Sequence, residues 1–385
     1  MPRTKEPPRV AVLVGTSTGW GRSIVRGIAN YANKHGPWHL WVEGAGQTER
    51  LRLPQGWAGE GIIARVADRP AVRLLDEAAV PTVNVSGIVL RGTDYPRVAS
   101  DLAASGHLAA EYLLDRGLRH FGYVGLPRLG YVRRHYRAFQ ERLAAAGCSC
   151  SICPAAAVGR RDPQQRKALV NWLGELPSPA GILTWATPQG RDVLDACRWA
   201  GLLVPEQLAV LSGDDDPLLA ETCSPPLSGI AGAGEQIGHE AAAMLDRLMR
   251  RRRSPKRPTF IPPNGVVTRR STETLAMEND DLVQAVAYIR DHATEPIRVE
   301  DVTRAVVISR RQLERYFQET LGRTPAAEIR RVRLERAKEL LTRSDLSIAE
   351  VAQASGFGTA EYLATLLKTT TGLTPLKYRS RIRGR

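Results

Sequence analysis

Short apolar runs alternate with amphipathic stretches from residue 10 to about residue 230, and then the alternation stops. The runs are Val10–Gly15, Trp38–Glu43, Gly61–Arg65, Pro81–Ser86, Phe121–Gly125, Gly181–Trp185 and Leu208–Gly213, each of strand length. Between them lie segments of helical period near 22–34, 70–78, 101–116, 131–146, 163–175 and 188–200, and another follows near 235–249. Strand, helix, strand, helix at this spacing predicts βαβ units, because parallel neighbours need a crossover and a helix supplies it. Both sheet faces are then covered, which fits runs that are apolar throughout. Seven such strands suit two parallel-sheet lobes.

From Asp281 onward no convincing strand appears. Leu282, Ala285, Val286 and Ile289 fall at i, i+3, i+4 and i+7, the spacing of an amphipathic helix. The polar stretch Ser271–Asp280 separates the two textures. The expected organisation is a two-lobed α/β domain over 8–271, a linker over 272–280 and an all-helical domain over 281–385. A length of 385 residues is compatible with two or three domains.

Charge points to a partner. The formal net charge is +14, with 43% apolar and 24% charged residues. That composition is ordinary for a folded chain, and the excess of cations argues for a polyanion, nucleic acid first. Residues 281–385 carry 19 Lys+Arg and 13 Asp+Glu, with five basic residues among the last nine. No stretch approaches the ~18 apolar residues of a membrane span, and Val10–Gly15 is too brief for a signal-peptide core. Five cysteines are too few for a disulfide scaffold. A reducing cytoplasm is the expected compartment.

Two C-terminal segments have helix-turn-helix form, about 299–321 and about 347–371. In the first, Val299–Ala305 precedes a turn at 306–308, and Ser309 opens a second helix. Ser309 with Gln312 has capping-box spacing, as do Ser347 with Glu350 in the second segment. Gly356 supplies the second turn, and a long helix from Pro325 to about Leu341 lies between the units. A rigid pair of such units can enter successive major grooves, which recur every ~34–36 Å.

The segment SIAEVAQASGFGTAEYLATLLKTTTGLTPLKYR resembles the C-terminal signature of the AraC/XylS class of transcription regulators, and IRVEDVTRAVVISRRQLERYFQETLGRTP resembles that class's first unit. Leu363 and Leu367 stand where the class usually has Phe, and both keep an apolar core role. The resemblance implies base reading from the solvent face of the first recognition helix, by Ser309, Arg310, Arg311, Glu314 and Arg315. Thr359 and Lys368 would serve in the second, where Lys368 is the one basic residue. Arginine can fork onto a guanine edge. The tail residues Arg379, Arg381, Arg383 and Arg385 read as phosphate contacts or as a solvated tail.

VAVLVGTSTGWGRSIVRGIANYANKHGPW, PRVASDLAASGHLAAEYLLDRGLRHFGYVG and GLLVPEQLAVLSGDDDPLLAETCSPPLSGI resemble the LacI/periplasmic-binding-protein class of sugar sensors. Such a sensor joined to an AraC-type C-terminus is the architecture of the xylose operon regulators. The resemblance implies a transcription regulator, not an enzyme, that senses xylose or a related monosaccharide and controls sugar-utilisation genes, most often as an activator. Its partners would be promoter DNA, a sugar, a second copy in a homodimer and RNA polymerase, with no membrane, cofactor or metal. Open α/β sheets bind ligands beyond the carboxyl ends of their strands. Asp214, past a strand end, matches the class's ligand-facing Asp; Ser17, Trp20 and Arg22 occupy the first lobe's contribution, and Tyr131 sits where an aromatic ring is usual. Ala186 and Thr187 replace the usual Asn-Asp pair. Arg134 and His135 stand in a region where an Arg normally faces the sugar.

Other signals compete. Gly15–Gly19 is a literal G-x-S-x-G after a strand, as a serine esterase would need, but no earlier strand exists to supply an oxyanion loop. A receptor that binds sugar without DNA is the other alternative, and it predicts no helix-turn-helix. Cys148, Cys150 and Cys153 form C-x-C-x-x-C without an obvious fourth ligand. The basic run at 250–253 with Lys256 and Arg257 reads as a solvated helix end or a phosphate contact.

Overall fold

The computed structural model describes residues 6–42, 51–159, 162–251, 257–273, 280–321 and 323–383. Glu43, Arg252, Arg253, Lys256, Arg385 and linker residues 274–279, on which some expectations above rest, lie outside the described residues, as do the side chains of Arg381 and Arg383. The chain forms two compact units, Met1–Ala276 and Met277–Arg385.

In the first unit, one lobe is built on β1 (Arg9–Leu13), β2 (His39–Val42), β3 (Gly61–Ala64) and β4 (Thr82–Asn84), all parallel, in the order β2-β1-β3-β4. A bridge from Asn84 to Arg97 carries the sheet on to the parallel pair β5 (Val98–Ser100) and β11 (Thr259–Ile261). Successive residues of a strand face opposite sides. Val10 and Val12 therefore pack on α1 (Gly19–His35) and α8 (Gly234–Met249), while Ala11 and Leu13 pack with α2 (Arg69–Ala78).

The other lobe is a six-stranded sheet in the order β12-β10-β9-β8-β6-β7. Its members are β6 (His120–Val124), β7 (Cys150–Ile152), β8 (Ala180–Thr184), β9 (Leu208–Ser212), β10 (Ser228–Ile230) and β12 (Val266–Val267), and β12 alone among these is antiparallel to its neighbour. Helices α3 (Leu102–Leu114) and α4 (Gly130–Ala145) enclose one core with Phe121, Tyr123 and Leu211. On the opposite face α5 (Pro163–Gly174) and α6 (Thr187–Ala200) enclose Ile182 and Val210. The short α7 (Pro217–Glu221) follows β9.

Helix starts are locally specified. Thr18 caps α1, Asp68 caps α2, Asp162 caps α5, and Asp101 accepts from both Ala103 and Ala104 N–H groups at the start of α3. The chain passes between the lobes three times, near Ser100–Leu102, Ala231–Ala233 and Pro262–Gly265. Backbone bonds stitch these strands together: Asp101 N–H to Ile261 O at 2.8 Å, Asn264 N–H to Ala231 O at 2.7 Å and Ala231 N–H to Gly265 O at 2.9 Å. Three adjacent crossovers form a hinge.

The second unit is helical among the described residues. Its elements are α9 (Asp280–His292), α10 (Val299–Val306), α11 (Arg310–Leu321), α12 (Pro325–Arg343), α13 (Ile348–Ala354), α14 (Ala360–Thr371) and α15 (Pro375–Arg383). Two cores share α12 as a spine. Leu282, Ile289, Val302, Leu313, Phe317 and Ile329 form the first. Leu334, Leu341, Val351, Phe357, Leu363 and Leu367 form the second. Glu328 is 1% exposed, and Arg323 (2.6 Å) and Arg331 (2.8 Å) neutralise it. Burial pushes its carboxyl up, but Arg331, Arg323 and Arg290 outweigh burial and hold it below the usual range.

The two halves also lock directly. Arg333 donates to Ala293 O at 2.6 Å and Glu295 O at 2.8 Å. Gly356, at φ 81°, leaves no room for a side chain: a Cβ there would stand 2.5 Å from Ala293 O. The tail differs from the solvated alternative: residues 375–383 are helical, and Arg379 donates to the carbonyls of Leu341 and Leu346. Its guanidinium ties α15 to α12 instead of facing solvent.

Candidate ligand cleft and nucleic-acid interface

Between the lobes of the first unit lies a cavity of about 250 Å³. It opens at the carboxyl ends of the strands, where parallel sheets leave backbone groups and loop side chains free for a ligand. The N-terminal lobe supplies Thr18, Trp20, Arg65 and Ser86 to its wall, and the crossovers supply Ser100, Asp101 and Gly232. The other lobe supplies Tyr131, Trp185, Gln189 and Asp214. Trp185 and Tyr131 meet edge to face, with centroids 5.3 Å apart.

Three consecutive carboxylates after β9 have separate roles. Asp214 Oδ1 accepts from the Thr187 N–H (2.6 Å), the Thr187 hydroxyl (2.7 Å) and the Ser212 hydroxyl (3.0 Å). Those bonds fix the carboxylate through Oδ1. Burial pushes the Asp214 carboxyl above its ordinary value, the Thr187 and Ser212 bonds oppose that, and Asp216 adds to it. Asp215 pairs with Arg269 at 2.6 Å inside the lobe. Asp216 reaches across the cleft: it accepts from the Gly19 N–H at 2.8 Å, and its two oxygens share the Arg22 Nη2 group, at 2.9 and 3.0 Å.

Trp20, Tyr131 and Asp214 are on the cavity wall, while Ser17 and Arg22 are not. Ser17 is exposed in the loop before α1, and its neighbour Thr18 faces the cavity. Arg22 is held away by Asp216 and by the carbonyl of Thr16 at 3.1 Å. Arg134 lies over the ring of Phe260 outside the wall. His135 is buried behind Trp185: Nδ1 meets the Tyr123 hydroxyl at 3.1 Å, Nε2 has no partner, and burial pushes the imidazole down to about 4. Sequence reasoning missed Arg65, Asp101, Trp185 and Gln189. Arg65 and Trp185 end the predicted strands Gly61–Arg65 and Gly181–Trp185, and that position was the available signal.

Cys150 and Cys153 are pushed up to about 12 by burial, so both stay protonated thiols near neutrality. Among the described residues no group of three or more His, Cys, Asp or Glu is placed to hold a metal, and no helix is long and apolar enough to cross a membrane.

In the second unit α11 turns Leu313 and Phe317 into the core and leaves Arg310, Arg311, Glu314 and Arg315 outside. Ser309 Oγ accepts from Gln312 N–H at 3.2 Å, while the Gln312 amide turns to the Tyr316 hydroxyl at 2.7 Å, so the expected capping box is half made. Arg310 pairs with Glu314 at 2.9 Å and with Glu300. Arg311 makes no such contact among the described residues. Arg315 lies over the Tyr316 ring, 5.4 Å from its centroid. Thr359 caps α14 by accepting from Tyr362 N–H, and Lys368 is exposed in its last turn.

Family models agree with this division. One for a XylR N-terminal domain matches residues 9–105, one for a periplasmic binding protein-like domain matches 110–272, and one for a helix-turn-helix domain matches 302–381. Over 382 residues the chain is 31% identical to the xylose operon regulatory protein of Escherichia coli (strain K12), covering 96% of each. It belongs to the family of xylose operon regulatory proteins. The xylose operon regulatory protein of Haemophilus influenzae is 28% identical over 386 residues, or 98% of this chain and 99% of that one. A solved structure of the xylose-binding transcription activator xylR superposes with a TM-score of 0.80 at 28% identity, covering 98% and 99% of the two chains.

As a member of the xylose operon regulator family, the chain is a transcription regulator with a DNA-binding helix-turn-helix domain, and not an enzyme. The esterase alternative falls with that, and so does a receptor without DNA. Gly15–Gly19 is the capping loop of α1: a Cβ on Gly21 would stand 1.9 Å from Gly15 O, so the loop closes directly onto the helix.

Proposed function

We propose that a monosaccharide in the cleft switches this regulator between DNA-binding states, and that it activates sugar-utilisation genes. The observation that carries this is the Asp214 carboxylate, fixed through Oδ1, on the same cavity wall as the Trp20, Tyr131 and Trp185 rings. Carboxylates accept from sugar hydroxyls, and aromatic rings cover the apolar face of the sugar. A ligand touching both lobes binds the closed arrangement better than the open one, and that difference is what shifts the equilibrium. Xylose or a close relative is the first candidate.

On the DNA side, Ser309, Arg310, Arg311, Glu314 and Arg315 present the reading face of α11, and Thr359 and Lys368 that of α14. Two copies acting as a homodimer in the cytoplasm, contacting RNA polymerase, complete the reading. The domain bounds are 8–271 and 281–385, joined by 272–280. A thermal-shift panel of pentoses, hexoses and their oxidised and reduced derivatives, repeated on Asp214→Ala, tests the sensor. A compound that stabilises only the unmutated protein supports the reading. A panel in which nothing stabilises the unmutated protein contradicts it.

A further inference from the structure

The two helix-turn-helix units share one geometry and differ in chemistry. Ser309 stands at the start of α11 and Thr359 at the start of α14, and each hydroxyl accepts from the backbone N–H three residues on, at 3.2 Å in both. Leu313 and Leu363 are fully buried, and so are Phe317 and Leu367 one turn later. These matched caps and core residues put the two helices in one register. In that register Arg310 corresponds to Ala360, Arg311 to Glu361, Glu314 to Ala364 and Arg315 to Thr365. Arg311 and Glu361 are both exposed in the first turn of their helices. The position that carries a guanidinium in the first unit therefore carries a carboxylate in the second.

The neighbours of Glu361 fit the same reversal. The Tyr362 ring meets Phe357 of the second core edge to face, with centroids 5.8 Å apart. Thr365 and Thr369 donate their hydroxyls back to the carbonyls of Glu361 and Thr365, each at 2.9 Å. That commits the hydroxyl protons to the helix and leaves exposed Thr365 its methyl as the uncommitted group. Lys368, in the last turn, is the one cation of α14. Among the described residues the Glu361 carboxylate has no hydrogen-bond or ion-pair partner.

The N-terminal residues of a recognition helix are those that reach base edges. A carboxylate there is repelled by the phosphates unless a base amine donates to it. In the major groove cytosine N4 and adenine N6 are the donors. Adenine sets its N7 acceptor beside the amine, against the second carboxylate oxygen, and cytosine has no such acceptor. We propose that Glu361 is the specificity-determining residue of the second unit and that it selects cytosine. The two units then read opposite chemistry: α11 takes guanine acceptors through Arg311, and α14 takes the cytosine amine through Glu361, with the Thr365 methyl suited to a thymine methyl. An acid in a first turn also suits the helix dipole, but that role predicts no base preference. The proposal rests on reading α11 and α14 as the helices that enter the major groove.

Selection from a pool of random duplexes by the full chain, with and without D-xylose, tests it, followed by competition binding on the selected site and its single-base-pair variants. The site is expected to hold two boxes one helical turn, ~10 bp, apart. One box should contain a C·G pair to which Glu361→Ala is indifferent and which Glu361→Gln shifts to A·T, since an amide forks onto adenine N6 and N7. Replacing that pair should weaken the unmutated chain about 5- to 150-fold, the range of a good base contact. Thermal melts check that the variants fold. If both Glu361 variants select the unmutated chain's site while Arg311→Ala changes it, Glu361 reads no base: the proposal is overturned and the reading helices stand. The same result with a lowered melting temperature overturns it too and assigns Glu361 to the helix dipole. If neither Arg311→Ala nor the Glu361 variants change the selected site, or no site is selected, the reading of α11 and α14 falls as well.

Discussion

Arg22 on α1 and Asp216 after β9 form an ion pair across the cleft, at 2.9 Å, with Asp216 6% and Arg22 39% exposed. The two residues belong to different lobes, so the pair contributes only when the lobes are together. Being partly solvated it is worth about 1 kcal/mol, which is several-fold in affinity. Arg22→Ala is expected to weaken sugar binding by that factor, with little effect on a melt recorded without sugar. Calorimetry on the variant measures it, and an unchanged affinity would show that the pair does not hold the lobes.

With Asp214 as the proposed acceptor for the sugar, binding is expected to depend on pH. Burial raises its carboxyl above the ordinary range, and a ligand hydroxyl donating to it favours the ionised form. Affinity should therefore rise with pH through the raised value and level off above it, with proton release on binding. Titrations in two buffers from pH 4 to 8 give both quantities. Asp214→Asn should flatten the profile.

His135 makes folding stability depend on pH in a separate window. The unfolded chain protonates near 6.5, while burial holds the folded imidazole at about 4. Below pH 6.5 the unfolded state gains a proton that the folded state does not, so stability falls from pH 6.5 towards 4, by at most about 3 kcal/mol. Urea unfolding at pH 7 and pH 4.5 should show a smaller loss in His135→Gln than in the unmutated chain.

The strands most plainly legible in the sequence were those buried on both faces, although β2, half exposed, was legible too. β3, β8 and β9 are fully buried along their length and appear as continuous apolar runs. β5, β7, β10, β11 and β12 are two or three residues long, too short for any period to register. α15 was hidden by its charges: Lys377, Arg379, Arg381 and Arg383 mask a helix whose one legible anchor is Tyr378 on the second core. In the cleft, loop and strand-end residues such as Trp20 and Asp214 could be named, but which of Ser17 and Thr18 faces inward depends on the cap that Thr18 makes. That Arg22 crosses to Asp216 depends on two lobes meeting 194 residues apart in sequence.

Val307, in the turn between α10 and α11, is 88% exposed and sits at φ 56°, a left-handed conformation that a β-branched residue rarely takes. Val307→Gly is expected to stabilise the second unit by about 1 kcal/mol, read as a rise in Tm of the full chain's helical transition. A drop would mean that the exposed Val side chain is held by contacts absent from the described residues.

Arg311 and Arg310 should differ on DNA. Arg311 is uncommitted, whereas Arg310 is held by Glu300 and Glu314. Arg311→Ala should cost about 1–3 kcal/mol of specific binding with relaxed preference at one base pair. Glu314→Ala should leave Arg310 held by Glu300 alone and raise the dependence of binding on salt. Competition footprints at two ionic strengths separate these outcomes.

The coupling of cleft to DNA is tested most directly by fluorescence anisotropy of the full chain on two duplexes of equal length: a sugar-operon promoter fragment and a random sequence. Each is titrated with and without D-xylose. The prediction is that the promoter is preferred by about 10³ or more and that the sugar changes the promoter Kd by about 5- to 150-fold, a change abolished in Asp214→Ala. Equal affinity for both duplexes, or a promoter Kd that D-xylose does not move although it binds the protein, would contradict it.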